Sequence, residues 1–127
     1  MKIHESAENY LETILILQKR LGRVRSIDIA NKLEFTKPSV SIAMKNLREN
    51  GYINMDLNGH ITLTEAGREV AERIYERHTV ITNILMALGV DSETAQADAC
   101  KIEDDISQKS FECMKKHFYE KQAEKNK

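Results

Sequence analysis

Three helical patterns followed by a β-hairpin signal occupy the first 63 of the 127 residues, and this order constrains the fold more than any other feature of the chain. Apolar residues recur at helical spacing in three stretches, which end at Gly22, Leu33 and Gly51. Two β-capable runs then flank the dipeptide Asn58-Gly59, which is typical of tight hairpin turns. The pattern predicts three helices followed by a two-stranded β-wing.

The third predicted helix has the features of a helix that enters the major groove of DNA. Thr36 is placed to cap its N-terminus, and Pro38 lies in the first turn, where proline costs no hydrogen bond. Val40, Ala43 and Leu47 form its inward stripe. The order of elements is that of a winged helix-turn-helix, whose recognition helix meets phosphates and base edges with its N-terminal end. The candidate DNA contacts are Arg25, Thr36, Lys37, Pro38, Ser39, Ser41, Lys45, Asn58 and His60.

Charge is distributed unevenly along the chain, although the totals of 19 Lys and Arg and 20 Asp and Glu nearly balance. Between Lys19 and Arg48, eight basic residues face two acidic ones. Between Asp91 and Asp105, six acidic residues face one lysine. The first block suits a polyanion and the second suits a cation. Either block can also be an ordinary solvated face, so each needs independent support.

Residues 64–127 carry helical patterns only. A long helix is predicted from Thr64 to Gly89, a second is predicted to be capped by Ser92, and a third follows Ser107. The change in composition near Thr64 predicts a DNA-binding domain over residues 1–63 and a helical domain over residues 64–127. The expected fold is therefore mainly α, a winged helix-turn-helix domain followed by an all-helical region.

One face of the helix after Ser92 carries possible metal ligands. Cys100, Glu103 and Asp104 stand at positions i, i+3 and i+4, so their side chains project from one face of a helix. Thiolate and carboxylate groups together can hold a divalent transition metal. Taken singly, Cys100 is more often an inert small apolar residue, and the two acidic residues are more often a solvated face.

Three further residues support a cation site. His78 falls on the apolar line of the long helix, where each ring nitrogen needs a partner. Asn9 and Glu12 are three residues apart on the first helix. A lone histidine in such a place is more often a satisfied core residue, but the combined set is better explained as a metal site.

Five stretches of the chain resemble one known family. They are Glu8–Ile14, Lys37–Ser41, Leu63–Gly67, Arg77-His78 and Ala99–Asp104. They are similar, in the same order, to the diphtheria-toxin-repressor and manganese-transport-regulator family. The resemblance implies a winged-helix head joined to a helical dimerisation region, with Fe(II) or Mn(II) bound between them. It also implies a homodimer that binds palindromic double-stranded operator DNA and represses metal uptake.

The resemblance assigns metal-site positions as well. They are Asn9, Glu12, His78, Cys100, Glu103 and Asp104. The family usually has Asp or Met in place of Asn9, and His in place of Asp104. The Cys100 thiolate favours softer metals, whereas Glu12 and Asp104 favour hard ones. Fe(II) or Mn(II) is expected, and Zn(II) or Co(II) remains open.

Two further expectations come from the resemblance. Thr82 and Gln96 stand where iron-type members have Glu and His, so we expect the accessory metal site of those members to be absent. The length of 127 residues resembles the short manganese-type members, which lack the C-terminal barrel of the iron-type ones.

The expected protein is a cytoplasmic, metal-dependent DNA-binding transcriptional regulator that represses metal-uptake genes. The N-terminus lacks the apolar core of a signal peptide, no apolar run is long enough to span a bilayer, and two cysteines suit a reducing compartment. We therefore expect no membrane partner. We also expect no small organic substrate.

Three alternatives come from other classes of protein. The first is a winged-helix regulator that has lost or altered metal sensing, which Asn9 and Asp104 would favour. The second is a metalloenzyme, but the sequence contains no HExxH motif and no phosphate-binding glycine loop, so we expect no enzymatic activity. The third is a structural helical adaptor, which would leave the basic head and the wing unexplained.

Overall fold

The computed structural model of the chain describes residues 5–125. In this range the chain forms α1 (Glu5–Leu21), α2 (Ser26–Leu33), α3 (Lys37–Glu49), β1 (Ile53–Met55), β2 (Ile61–Leu63), α4 (Glu65–Ala87), α5 (Ser92–Asp105) and α6 (Gln108–Lys125). The expectation of a mainly α fold with a winged helix-turn-helix is confirmed. None of the helices in this range combines the length and the apolar character needed to span a bilayer.

Residue contacts divide the chain into two compact units. The first unit ends at Ile74 and the second begins at Tyr75, so the division falls inside α4. The division expected from composition, between residues 63 and 64, stays a prediction about functional regions.

The core of the first unit is formed by the inward faces of its helices and by one residue of each strand. Its largest fully buried side chains are Leu11, Ile14, Val24, Ile29, Val40, Met44, Ile53 and Ile61. On α3 the buried stripe is Val40, Met44 and Leu47, whereas Ala43, which was expected to face inward, is only half-buried. Steps of four and three residues from Val40 keep Met44 and Leu47 on one face, and the long methionine side chain fills the core where alanine would not.

The wing is a short antiparallel hairpin, as the Asn-Gly signal predicted. Ile53 pairs with Leu63 and Met55 pairs with Ile61. On its other side, the Ile61 amide donates to the Val24 carbonyl oxygen over 2.7 Å. The β-capable runs of the sequence are Tyr52–Met55 and His60–Leu63, and each strand begins one residue later than its run. The amide of Tyr52 donates to the last turn of α3 instead, so that residue belongs to the exit of the helix.

The second unit has a core of its own. Val80 and Ile81 of α4, Ala99 of α5 and Phe111 of α6 are buried together. The expected cap of α5 at Ser92 is wrong by one residue. Asp91 is the N-cap, and its carboxylate accepts a hydrogen bond from the Thr94 amide over 3.0 Å.

Gly67 lies where the first turn of α4 meets the segment that leaves α3. The Thr64 amide donates to the Tyr52 carbonyl oxygen over 3.1 Å, and the Thr64 hydroxyl donates to the Gly51 carbonyl oxygen over 2.7 Å. These bonds bring the Tyr52 carbonyl so close to α4 that a Cβ atom on residue 67 would overlap it. Only glycine fits this position without a shift of the backbone.

We expect Gly67→Ala to destabilise the protein by about 1–3 kcal/mol, because the added methyl group forces α4 away from the Tyr52 carbonyl. The measurement is urea unfolding followed by circular dichroism. Ala66→Ser is the matched control, since Ala66 is exposed in the same turn. Equal midpoints for the two variants would contradict the close approach.

Candidate DNA-binding and metal-binding sites

The expected DNA contacts on and before α3 all lie on its solvent-facing side. Burial of the stripe at Val40, Met44 and Leu47 turns the remaining side chains outward. The exposed residues are Thr36, Lys37, Pro38, Ser39, Ser41 and Lys45. The predicted N-cap is confirmed, because the Thr36 hydroxyl oxygen accepts a hydrogen bond from the Ser39 amide over 3.3 Å. The hydroxyl of Thr36 therefore shapes the start of α3.

Arg25 lies at the start of α2, which precedes α3. Its amide donates to the Asp28 carboxylate over 2.9 Å, and its side chain is exposed. The backbone of Arg25 is thus held by the helix start, and the guanidinium faces solvent. This placement leaves the charge of Arg25 on the surface of the first unit.

The turn of the wing is organised by Asp56, a residue that the sequence analysis did not single out. Its carboxylate accepts hydrogen bonds from the amides of Asn58 and His60, each over 2.9 Å. The His60 Nδ1 lies 3.3 Å from the second carboxylate oxygen of Asp56. Of the two expected wing contacts, Asn58 is exposed and His60 is half-buried. An aspartate two residues before Asn-Gly is the signal that could have predicted this turn.

The four expected ligands of the second unit lie on α4 and α5. Glu103 is 3% exposed, whereas Cys100 and Asp104 are exposed. The shared helix face was predicted from their spacing, but their burial differs. A carboxylate in the interior must be paired or must hold a cation, so Glu103 is the member of this face with the strongest chemical demand.

His78 is half-buried, and its ring is oriented by the backbone of α5. Its Nε2 lies 3.1 Å from the Gln96 carbonyl oxygen. Since a carbonyl oxygen only accepts, this contact requires a proton on Nε2. Metal-bound histidines commonly donate their second ring nitrogen to a carbonyl in this way. In the neutral imidazole, a proton on Nε2 leaves Nδ1 as the nitrogen that could coordinate a metal.

Asn9 and Glu12 lie on α1 of the first unit, and both are half-buried. Two of the six expected ligands therefore lie in the first unit, and the other four lie in the second. Over the part of the chain that is described, no three His, Cys, Asp or Glu side chains are grouped so that they can hold a metal ion. The six-residue metal site stays a prediction.

Arg77 joins the end of α5 to α6. Its Nη1 donates to the Glu103 carbonyl oxygen over 2.7 Å, and its Nη2 donates to the Gln108 side-chain oxygen over 3.1 Å. Its guanidinium lies over the ring of Phe111 at 5.3 Å from the centroid. Sequence reasoning missed this role, although α5 has no basic residue in its last turn to interact with the carbonyls there.

The exposed face of α3 and the helical unit that follows it indicate the class of the protein. A winged helix-turn-helix with an exposed recognition helix is the fold of a DNA-binding transcriptional regulator, and the two family profiles that the chain matches add that this regulator is metal-dependent. Residues 2–61 match the family profile "Iron dependent repressor, N-terminal DNA binding domain". Residues 64–122 match "Iron dependent repressor, metal binding and dimerisation domain". The chain belongs to the iron-dependent repressor family, whose members are transcriptional regulators and not enzymes.

Individual relatives agree with this assignment. The transcriptional regulator MntR of Salmonella typhimurium is 33% identical over 108 residues, which are 85% of this chain and 69% of that protein. An uncharacterized HTH-type transcriptional regulator of Methanocaldococcus jannaschii is 36% identical over 113 residues, which are 87% of this chain and 90% of that protein. The solved structure of the manganese regulator SloR has a TM-score of 0.77 at 26% identity, and the match covers 94% of this chain and 55% of that one.

The pKa of the Asp56 carboxyl is lowered, chiefly by the hydrogen bond from the His60 amide, with a further contribution from the Asn58 amide. Because the folded wing favours the carboxylate form of Asp56, these hydrogen bonds stabilise the wing fully at pH values above the pKa that Asp56 has in the unfolded chain. This stabilisation is lost as the pH falls through the lowered pKa. We expect an NMR titration of the Asp56 carboxyl carbon to show this lowered value, and the amide shifts of Asn58 and His60 to follow the same curve.

Asp56→Asn is the matched control for this titration, since it keeps an acceptor oxygen for the two amides and cannot ionise. In that variant the amide shifts of the wing are expected to stay constant over the same acidic range. An Asp56 carboxyl that titrates at or above the value of an unfolded chain would contradict the hydrogen-bonded turn.

Proposed function

We propose that this protein is a cytoplasmic, homodimeric repressor that binds palindromic operator DNA of metal-uptake genes when Fe(II) or Mn(II) is bound. The observation that carries the proposal is the orientation of α3, which buries Val40, Met44 and Leu47 and leaves Lys37 and Lys45 exposed. A basic recognition helix with its N-terminal end exposed is suited to phosphates and base edges. The candidate contacts predicted from the sequence are retained as the proposed DNA surface.

The proposed metal ligands are the six residues predicted from the sequence. They are Asn9, Glu12, His78, Cys100, Glu103 and Asp104. Sulfur, nitrogen and oxygen donors in one set suit a divalent first-row transition metal, and the orientation of His78 by the Gln96 carbonyl supports its role. When bound, such an ion supplies positive charge that offsets repulsion between Glu103 and Asp104.

The distribution of the proposed ligands suggests how metal binding controls DNA binding. Asn9 and Glu12 belong to the unit that contains α3, and the other four belong to the second unit. Ligands from both units would have to converge to share one ion. Metal occupancy would then favour one arrangement of the DNA-binding unit, and the ion shifts the equilibrium by its differential affinity for that arrangement.

The response of DNA affinity to metal separates the main proposal from its alternative. Asn9 supplies a neutral amide and Asp104 replaces an imidazole donor, which favours a winged-helix regulator with lost or altered metal sensing as the second candidate. An anaerobic titration with Mn(II), Fe(II), Co(II) and Zn(II), followed by the affinity for the protein's own promoter DNA, ranks the ions. Equal affinity with a chelator and with every ion would favour the alternative.

We expect Glu103→Gln to abolish the increase in DNA affinity on adding metal, because the neutral amide keeps the size of the side chain but removes its charge. The measurement is fluorescence anisotropy of labelled promoter DNA with metal and with chelator. Circular dichroism and gel filtration check that the variant remains folded and keeps its oligomeric state. Asp105→Asn is the control, since Asp105 is an exposed carboxylate of the same helix outside the proposed set. A Glu103→Gln variant that responds to metal like the wild type would contradict the ligand assignment.

We expect Lys37→Ala to weaken binding to all DNA sequences alike and to make the negative slope of log K against log salt less steep by about 0.9, the value for one phosphate contact. The measurement is a series of affinities from low to physiological salt. Lys109→Ala, which removes an exposed lysine of α6, is the control and is expected to leave the slope unchanged. A changed sequence preference in Lys37→Ala would instead indicate a contact to a base edge.

A further inference from the structure

Ile42 lies at the centre of the outward face of α3. It is 64% exposed, whereas the inward residues Val40, Met44 and Leu47 are at most 4% exposed. At 3.6 residues per turn, Ile42 projects from the side of the helix opposite to that stripe. The packing of the first unit therefore gives no reason for a large apolar residue at this position.

Apart from Pro38, the neighbours of Ile42 on this face are polar or charged. Ser39, Lys45 and Asn46 stand three or four positions away on the helix, and all three are exposed. A single exposed apolar side chain is common on protein surfaces and needs no explanation by itself. The position of Ile42 does need an explanation, because it lies one turn into the proposed recognition helix, where side chains reach base edges.

We infer that Ile42 is a specificity-determining residue that contacts the C5-methyl group of a thymine in the operator. This inference rests on the proposed function. The thymine methyl group is the apolar feature of the base edges in the major groove, and apolar side chains are suited to it. Cytosine places a hydrogen-bond donor on the same edge, and Ile42 has no acceptor for it.

Charge on α3 supports DNA as the partner of this face. The exposed basic residues of α3, Lys37, Lys45 and Arg48, outnumber its one exposed acidic residue, Glu49, and a polyanion is the partner that such a helix attracts. Contacts from these residues to phosphates supply affinity for any sequence. Ile42 then discriminates between DNA sequences, because its apolar side chain adds favourable binding free energy only where it contacts a methyl group.

The inference is tested on duplex DNA selected from a random-sequence pool by the wild-type protein, in parallel anaerobic selections with Mn(II), Fe(II), Co(II) and Zn(II). Each thymine of the selected sequence is then replaced by deoxyuridine, which removes only the methyl group. At one thymine per half-site we expect the substitution to lower wild-type affinity about fourfold, the value of one buried methyl group. Ile42→Ala is expected to bind the thymine and deoxyuridine duplexes equally well.

Two controls accompany this measurement. Ile27→Ala removes a 39% exposed isoleucine from α2 and is expected to keep the preference for thymine over deoxyuridine. Ile42→Leu keeps an apolar side chain on α3 and is expected to keep part of that preference. Circular dichroism shows whether each variant has the wild-type fold.

The outcomes separate this inference from the proposed function. A wild-type protein that selects no sequence, with any of the four ions, would overturn the proposed function and the inference with it. The inference alone would be overturned if the wild-type protein selects a sequence but binds every deoxyuridine duplex as tightly as the thymine duplex. A thymine preference that survives in Ile42→Ala would do the same.

Discussion

The orientation of α3 depends on the burial of one apolar stripe, and the proposed DNA surface of the first unit depends on that orientation. Val40, Met44 and Leu47 leave water on folding, and each contributes about 1.5–3 kcal/mol. A shift of the pattern by one residue would turn the stripe by about 100° toward solvent and lose this stabilisation. Since the inward stripe holds the helix, the outward side chains need no contact within the chain and remain available to a partner.

In the second unit, a charged side chain stabilises the end of α5, the helix that carries three of the six proposed ligands. The last carbonyl groups of any α-helix have no partner within it. Arg77 of α4 donates to one of them in α5, and the ring of Phe111 covers its guanidinium. Because that carbonyl belongs to Glu103, the interaction that stabilises the end of α5 also positions a proposed ligand. Metal binding and the stability of this helix end are therefore expected to depend on each other.

The helices, the hairpin and the Thr36 cap were predictable because each depends on residues close in sequence. The cap of α5 was misplaced because Asp91 and Ser92 are adjacent and both are good caps, so a local pattern does not distinguish them. Arg77 was missed because its partners are 26 and 31 positions away, and no periodicity indicates such contacts. For the candidate metal site, spacing predicted that Cys100, Glu103 and Asp104 share a face of α5. Spacing could not predict that only Glu103 of the three is buried, because burial depends on packing by neighbouring helices.

In the proposed regulator, control of DNA binding needs no change within α3. A single head with a few phosphate contacts binds DNA weakly and loses affinity steeply with salt. Two linked heads that contact DNA together gain orders of magnitude in affinity, and they lose that gain when their geometry prevents simultaneous contact. In this proposal the metal therefore acts on whether two heads can contact DNA together, and not on the contacts that each head makes. The basic residues and Ile42 keep their roles in both states, so sequence preference and metal response are separate properties of the chain.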